Sequence, residues 1–149
     1  MNFKIWRAPL DGFEDMKKWT TVIEHDPNVK LQSISVFDKF MSLYIRSEGL
    51  NGIRILKLPS GEISQIDFPE TVYTVNPDMN SEYSTGKFRY NYSWMNRPET
   101  WYDYDTEEGI STKLKEQEIP GGFNPDDYIV ERLWAAAPDS AMVPMAIVY

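Results

Sequence analysis

Several residue types are scarce in this 149-residue chain, and each scarcity excludes a class of protein. Cysteine is absent, so neither a disulfide framework nor thiol chemistry is expected. Histidine occurs once, and a single imidazole without cysteine cannot form a histidine-based zinc site. We interpret His25, beside Asp26 and Pro27, as a partly exposed residue at a strand end. No metal and no cofactor are expected.

Positive charge and long apolar runs are also scarce. The 15 basic residues are outnumbered by 23 acidic ones, which gives a net charge of -8. Phosphate binding needs a basic surface, so nucleic acid and anionic membranes are not expected as partners. No apolar run approaches the roughly 18 residues of a membrane span. The segment from Met1 to Arg7 is too short and too charged for a signal peptide, and we expect a cytoplasmic location.

Aromatic residues are abundant, at 14% of the chain, and they favour strands. Short apolar or aromatic runs bounded by Gly, Pro, Asn or Asp recur throughout, whereas no segment sustains helical periodicity for three turns. A short helical turn is expected near residues 13–18. The predicted fold class is all-β. The predicted strands cover residues 3–8, 19–24, 31–37, 40–46, 53–58, 63–66, 88–93, 100–104, 111–116, 128–136 and 142–149, with turns at 26–28, 49–52, 59–61, 107–109 and 138–140.

A weak internal repeat divides the strands into units. The dipeptide Lys39-Phe40 recurs as Lys87-Phe88, and Gly61 recurs as Gly109, both at an offset of 48 residues. Repeats of roughly 40–50 residues with about four strands are typical of β-propeller blades. A general β-sandwich also fits this pattern. Because a whole propeller needs at least four blades, the chain has room for only part of one.

The character of the chain changes at Ile119. Glycine and proline at 120–122 predict a flexible joint, and residues 124–127 continue the loop. Two β-rich runs then flank a turn at Pro138-Asp139-Ser140. The second run reaches Tyr149 while it still has the pattern of a buried strand, so we interpret the chain as a piece of a longer protein. The expected layout is propeller blades over residues 1–118, a linker over 119–127 and a hairpin over 128–149.

The order and spacing of several segments carry a resemblance to a known family. These segments are Trp19-Thr-Thr-Val-Ile23, Phe88-Arg-Tyr-Asn-Tyr-Ser93, Pro98-Glu-Thr-Trp-Tyr-Asp-Tyr-Asp105 and Glu131-Arg-Leu-Trp134. Through them almost the whole chain resembles the prolyl oligopeptidase family of serine peptidases, particularly its oligopeptidase B members. Two positions depart from the family pattern. Trp94 follows Tyr-Ser where the family usually has a second Ser, and Ser140 follows Asp where it usually has Gly.

The resemblance implies a place for this chain in a larger enzyme. In that family a seven-bladed propeller caps an α/β-hydrolase domain, and oligopeptidase B cuts short peptides after Lys or Arg. The Ser, Asp and His of the triad lie downstream of the position that matches Tyr149. No catalytic, cofactor-binding or metal-binding residue is therefore carried over. The chain would hold the last blades and, over 128–149, the first strands of the hydrolase. Its propeller part would admit short peptides to the active site and exclude folded proteins. The chain would be inactive alone.

The same resemblance names the expected partners. They are the remainder of the peptidase, with short basic peptides as substrates of the whole enzyme. Independently of the resemblance, a fragment of two or three blades leaves strand edges unpaired, so a homodimer through exposed blade edges is also expected. A rival hypothesis from another class is a free-standing β-rich binding module without peptidase activity, which would act through exposed aromatic residues and edge strands.

Local motifs add no catalytic centre. The G-x-S-x-G turn of serine hydrolases is absent, since Gly109-Ile-Ser111 is followed by Thr112-Lys113. The densest acidic run, Asp103-Tyr-Asp-Thr-Glu-Glu108, does not have EF-hand spacing. We interpret it as a solvated strand end and turn, with cation or basic-peptide binding as the alternative. Asp126-Asp127 is interpreted as part of the solvated interdomain loop.

An aromatic cluster is the remaining candidate for a binding surface. Its rings could stack on a sugar or a nucleic-acid base. Alternation along strands places Tyr90 with Tyr92, and Tyr102 with Tyr104, on shared faces. Because cross-strand aromatic packing is ordinary in sheets, a core role is favoured. The cluster comprises Tyr90, Tyr92, Trp94, Trp101, Tyr102 and Tyr104.

Overall fold

The computed structural model describes residues 2–149, and Met1, at which the expected propeller portion begins, lies outside the described residues. The all-β prediction is confirmed. Among the described residues there are two short 3-10 turns, Met16–Lys18 and Pro125–Asp127. The strands are β1 (Ile5–Arg7), β2 (Thr20–Ile23), β3 (Val29–Val36), β4 (Phe40–Ser47), β5 (Leu50–Lys57), β6 (Ile63–Gln65), β7 (Thr74–Pro77), β8 (Lys87–Trp94), β9 (Arg97–Asp105), β10 (Ile110–Glu116), β11 (Val130–Ala136) and β12 (Met142–Val148).

The strands form four antiparallel sheets. Two of these sheets have four strands each, joined in simple up-and-down order: β3-β4-β5-β6, called blade 1 here, and β7-β8-β9-β10, called blade 2. The β1–β2 hairpin precedes the blades, and the β11–β12 hairpin, called the terminal hairpin, follows them. Over residues 2–149 the sheets do not close into a ring.

The two blades repeat one meander, as the 48-residue offset predicted. Phe40 and Phe88 both lie at the start of the second strand of their blade. Gly61 and Gly109 both lie in the turn between the third and fourth strands, with φ of +77° and +72°. Glycine suits these turns because a Cβ is strained at positive φ.

The main core lies between the two blades. The rings of Phe40 and Phe88 are fully buried and meet edge to face, with centroids 6.4 Å apart and planes at 89°. Phe37 stacks on Phe40 at 4.3 Å and also contacts Phe88. The other face of β4 carries Leu43 and Ile45, which line a gap of about 330 Å³ shared with the β1–β2 hairpin. This second face of blade 1 is only partly covered, because Leu43 and Ile45 are buried whereas Ile34 and Val36 are exposed. The remaining core residues are Ile53, Ile55, Ile66, Val75, Tyr90, Tyr92 and Tyr104.

Three local predictions differ from the structure. The turn predicted over residues 49–52 is wrong beyond Gly49, because Glu48 and Gly49, with φ of 51° and 84°, form a two-residue turn and β5 begins at Leu50. The expected helical turn near 13–18 is only a 3-10 turn. Strand β7 was not predicted, since four residues ending in proline, with only Val75 buried, carry no alternating pattern.

Candidate functional site

Strand direction gives each blade two ends. Because successive strands run in opposite directions, the β4–β5 turn, the crossover at residues 66–73, the β8–β9 turn and the linker after β10 all lie at one end. We call this the joint end, since the terminal hairpin follows the linker there. The β3–β4, β5–β6, β7–β8 and β9–β10 connections lie at the opposite, far end. The candidate site is the joint end.

The terminal hairpin contacts blade 1 at the β4–β5 turn. A guanidinium N–H of Arg132 donates to the backbone oxygen of Glu48, and the same guanidinium lies 4.7 Å from the ring centroid of Trp134. Pro144 packs on Gly49 so closely that a Cβ at Gly49 would lie 2.8 Å from the Pro144 Cγ. The contact therefore requires glycine for space as well as for its φ of +84°.

The linker contacts blade 2 at the β8–β9 turn. The Asn96 Nδ2 donates to the backbone oxygens of Pro125, at 2.8 Å, and Tyr128, at 3.2 Å. Beside it, an Arg97 Nη2–Asp126 Oδ1 ion pair spans 3.0 Å. The Asp126 side chain is largely exposed, in agreement with the interpretation of this acidic pair as solvated loop. Both blades thus hold the segment that follows them.

Aromatic rings fill the space between the blades toward the joint end. Phe68 from the crossover stacks on Tyr92 at 4.7 Å, and Trp94 packs against Tyr92 at 5.2 Å. The Tyr92 hydroxyl donates to the Glu70 carboxylate. Burial raises the pKa of Glu70 above its usual range, and burial also raises the pKa of Tyr73.

The aromatic cluster is mainly core. Tyr90, Tyr92 and Tyr104 are buried, and Tyr90 stacks on Tyr102 at 5.4 Å with planes 12° apart. Burial raises the pKa of Tyr90 to about 12, while its hydroxyl lies 2.9 Å from the Ser111 hydroxyl. These rings are therefore not free to stack on a ligand. Trp94 departs from the family pattern, yet it packs as part of the same cluster.

The acidic run lies at the far end and serves local structure. Arg89 binds Asp103 through two hydrogen bonds, of 2.8 and 3.0 Å, and this bonding lowers the pKa of Asp103. Asp105 accepts the backbone N–H groups of Glu108 and Glu107, which lowers the pKa of Asp105. Within residues 2–149, no group of three or more acidic or histidine side chains could hold a metal ion.

The structure does not bring a nucleophile and a base together. His25 is exposed and lines the gap beside the β1–β2 hairpin, on one side of blade 1. Ser111 lies on β10 of blade 2, with its hydroxyl engaged by Tyr90. The residues of the joint were not singled out as a site from the sequence. One feature of the sequence pointed to Arg132, which lies in the Glu131–Trp134 segment of the family resemblance. No feature of the sequence pointed to Asn96.

Two adjoining four-stranded meanders, each turning on glycine at the same place, define part of a β-propeller. The sequence profile described as "Prolyl oligopeptidase, N-terminal beta-propeller domain" matches residues 1–117. The chain therefore belongs to the prolyl oligopeptidase family. Within residues 2–149, no helix has both the length and the apolar composition needed to cross a membrane.

Relatives of known name agree with this assignment. Dipeptidyl aminopeptidase BI of Pseudoxanthomonas mexicana is 32% identical over 149 residues, which cover 99% of this chain and 20% of that protein. Oligopeptidase B from Trypanosoma brucei, solved with covalently bound antipain in a closed form, matches with a TM-score of 0.80 and 32% identity. That match covers 87% of this chain and 19% of the other.

A second solved structure extends the match. Oligopeptidase B from Leishmania major superimposes with a TM-score of 0.83 and 29% identity, covering 95% of this chain and 21% of that one. The chain thus spans about a fifth of the length of the relatives that it matches.

Proposed function

We propose that this chain is the closing part of the propeller and the opening hairpin of the hydrolase domain in a serine oligopeptidase similar to oligopeptidase B. Propeller blades occupy residues 1–118, a linker occupies 119–127, and the first hydrolase strands occupy 128–149. The family profile, which ends at residue 117, supports this division. On its own the chain has no peptidase activity.

The observation that carries the proposal is the open apolar face of the terminal hairpin. Register places Leu133 opposite Met145, and Ala135 opposite Val143. These side chains point away from the face that carries Arg132 and Pro144, because neighbours along a strand alternate. Leu133, Val143, Met145 and Ile147 are 42–46% exposed. A contiguous apolar face of this kind marks a surface that more protein covers, and a hydrolase domain beyond Tyr149 would cover it.

In the proposed enzyme the propeller restricts entry so that short peptides reach the catalytic centre and folded proteins do not. Substrates are short peptides cleaved after Lys or Arg. The excess of negative charge on this chain, net -8, favours the approach of basic peptides. The catalytic Ser, Asp and His belong to the part of the enzyme beyond residue 149.

Peptide hydrolysis by the full-length protein tests the proposal. N-terminally blocked short peptides with one internal Arg or Lys should be cleaved on the carboxyl side of that residue, and a serine-directed inhibitor should abolish the cleavage. A matched blocked peptide with Glu in place of Arg is the substrate control, and residues 1–149 alone are the protein control. A long peptide with the same Arg site should be cleaved far more slowly than the short one. A full-length protein that cleaves none of these would overturn the proposal and favour the binding module.

The name of one relative favours a second candidate activity. Since dipeptidyl aminopeptidase BI is 32% identical to this chain, the full-length enzyme is a candidate for removing dipeptides from free N-termini. Substrates in pairs, one blocked and one with a free amine, separate the two activities. An endo-acting oligopeptidase cleaves the blocked peptide, whereas a dipeptidyl aminopeptidase requires the free amine.

We also propose a homodimer through exposed blade edges. Strand β10 forms the outer edge of blade 2, and each of its residues is exposed. An unpaired strand edge offers backbone groups to a second copy. Light scattering over a concentration series should show the mass of a dimer, and a constant monomeric mass would contradict this part of the proposal.

A further inference from the structure

The two anchors of the joint lie in equivalent turns of the repeat. Glu48 and Asn96 are 48 residues apart, the same offset that relates Phe40 to Phe88 and Gly61 to Gly109. Each lies in the two-residue connection between the second and third strands of its blade, at the joint end, Glu48 as the first residue of its turn and Asn96 as the second. Equivalent turns of adjacent blades stand side by side. The repeat therefore presents two neighbouring anchoring points to the segment that follows it.

The two anchors use different chemistry. At blade 1 the backbone oxygen of Glu48 accepts a hydrogen bond from Arg132, and Pro144 packs on Gly49. At blade 2 the Asn96 amide donates to two backbone oxygens, of Pro125 and Tyr128, which flank the Pro125–Asp127 turn. The Asn96 Oδ1 is buried without a hydrogen-bond partner among the described residues. The orientation of this amide is thus set by its two donor contacts.

A pivot precedes the clamped segment. Gly121 and Gly122 both have positive φ, of 102° and 80°, and nothing lies within 4 Å of where a Cβ would be. Both residues are exposed, and glycine moves readily between backbone conformations. Asn96 contacts Pro125 and Tyr128, which lie on the C-terminal side of the pivot, so loss of these contacts frees the linker and the terminal hairpin to turn about these glycines.

We propose that the β4–β5 and β8–β9 turns form a two-point clamp, with Glu48 and Asn96 as its anchors, that fixes the orientation of the terminal hairpin on the propeller. Asn96 is a positioning residue: it holds the segment that follows the Gly121-Gly122 pivot against blade 2. The proposal rests on the layout given above, in which the hydrolase domain continues from the hairpin. Loosening the clamp then swings that domain away from the blades.

A distance measurement on the full-length protein tests the clamp. Spin labels on cysteines introduced at Ser35, on blade 1, and Ala141, at the tip of the terminal hairpin, report the orientation. Both positions are exposed, and residues 1–149 contain no native cysteine. The wild-type background should give one narrow distance distribution. Asn96→Asp puts a carboxylate oxygen against two carbonyl oxygens and should add a second, longer-distance population.

Proteolysis supplies an independent readout. Cleavage near Gly121-Gly122 should accelerate by about tenfold in Asn96→Asp, because local opening exposes the linker. Arg132→Gln, which weakens the other anchor, should also broaden the distance distribution. If Asn96→Asp fails to fold, as judged by a lost cooperative melt, Arg132→Gln decides the question alone.

Asn80→Asp is the matched control. The Asn80 Nδ2 also donates to two backbone oxygens, of Asp78 and Arg89, at 2.8 Å each, but it lies at the far end of blade 2. Loss of these two hydrogen bonds should lower the stability of blade 2 without changing the spin-label distances between positions 35 and 141. A wild-type distribution in both anchor variants, or an equal change in Asn80→Asp, would overturn the clamp.

Peptidase kinetics separate the clamp from the proposed function. With the clamp loosened, kcat/KM for a long Arg peptide should rise relative to that for a short one. If the wild-type full-length protein cleaves no peptide, the proposed function fails, while the spin-label distances still decide whether the clamp exists.

Discussion

The blades and the terminal hairpin contrast two uses of the same strand pattern. Both consist of antiparallel strands rich in apolar residues. In the blades, Phe40 and Phe88 are 0% exposed, whereas Leu133 and Ile147 of the hairpin are each 42% exposed. The difference does not come from composition. It comes from neighbours, because each blade packs against the other, whereas no described residue covers the outer face of the hairpin.

This contrast separates a folding unit from a connecting unit. Burial of apolar area is the main favourable term in folding, so the blade core stabilises this chain. The hairpin gains little until something covers it. It is nevertheless placed by a few specific contacts, at Gly49 and at Asn96, and such contacts orient a segment more than they stabilise it.

The largest expected difference follows from removing one apolar side chain in each region. Phe88→Ala should lower the free energy of unfolding by about 3–5 kcal/mol, because it leaves a cavity between the blades. Leu133→Ala should cost less than about 1 kcal/mol in this chain, since the side chain is largely exposed. Urea unfolding of both variants measures the difference. Equal losses would show that the hairpin face is already covered, as in a self-associated form.

Two glycine substitutions come next in size, and their difference measures the contact between Pro144 of the hairpin and Gly49. Gly61→Ala should cost about 1 kcal/mol from backbone strain alone, since nothing lies near its Cβ position. Gly49→Ala adds a clash with Pro144 to similar strain and should cost about 2–3 kcal/mol. Combining Gly49→Ala with Pro144→Ala should recover the excess. If Gly61→Ala and Gly49→Ala lower the melting midpoint equally, Pro144 does not pack on the Glu48-Gly49 turn.

A stabilising substitution is expected within the hairpin itself. Ser140 has a φ of +67°, as expected for a position at which the family pattern has Gly. Ser140→Gly should relieve strain and raise the free energy of unfolding by about 1 kcal/mol, less the entropy that glycine adds to the unfolded chain. The melting midpoint should rise by a few degrees. Ser81→Gly, in a loop without positive φ, is the control and should not stabilise.

The smallest effect concerns pH and belongs to blade 2. Hydrogen bonding from Arg89 lowers the pKa of Asp103 in the folded state. The stabilisation is therefore fully present above the ordinary carboxyl pKa of about 3.9 and is lost as pH falls through the lower folded-state value. Asp103→Asn should flatten this part of the stability profile between pH 5 and 2. Arg89→Gln, which removes the hydrogen-bond partner of Asp103, should flatten the same part of the profile.

Much of the blade structure could be predicted from the sequence because its signals are local. Alternation and turn residues located each blade strand except β7, and the 48-residue repeat related Phe40 to Phe88. Strand β7 was not predicted because four residues are too few to show the alternation of apolar and polar side chains that indicates a strand. The aromatic cluster could be assigned to the core on general grounds, but only the packed blades show that Tyr90 and Tyr92 are buried.

The sequence by itself determined the all-β class, the repeat and the need for glycine at Gly61 and Gly109, because strand alternation and positive φ are properties of short segments. Only the tertiary structure decided which turns meet the terminal hairpin. The contacts of Glu48 with Arg132 and of Asn96 with Tyr128 span 84 and 32 residues of chain. Such pairs leave no local pattern, since they exist only once two blades have packed and their joint ends stand side by side.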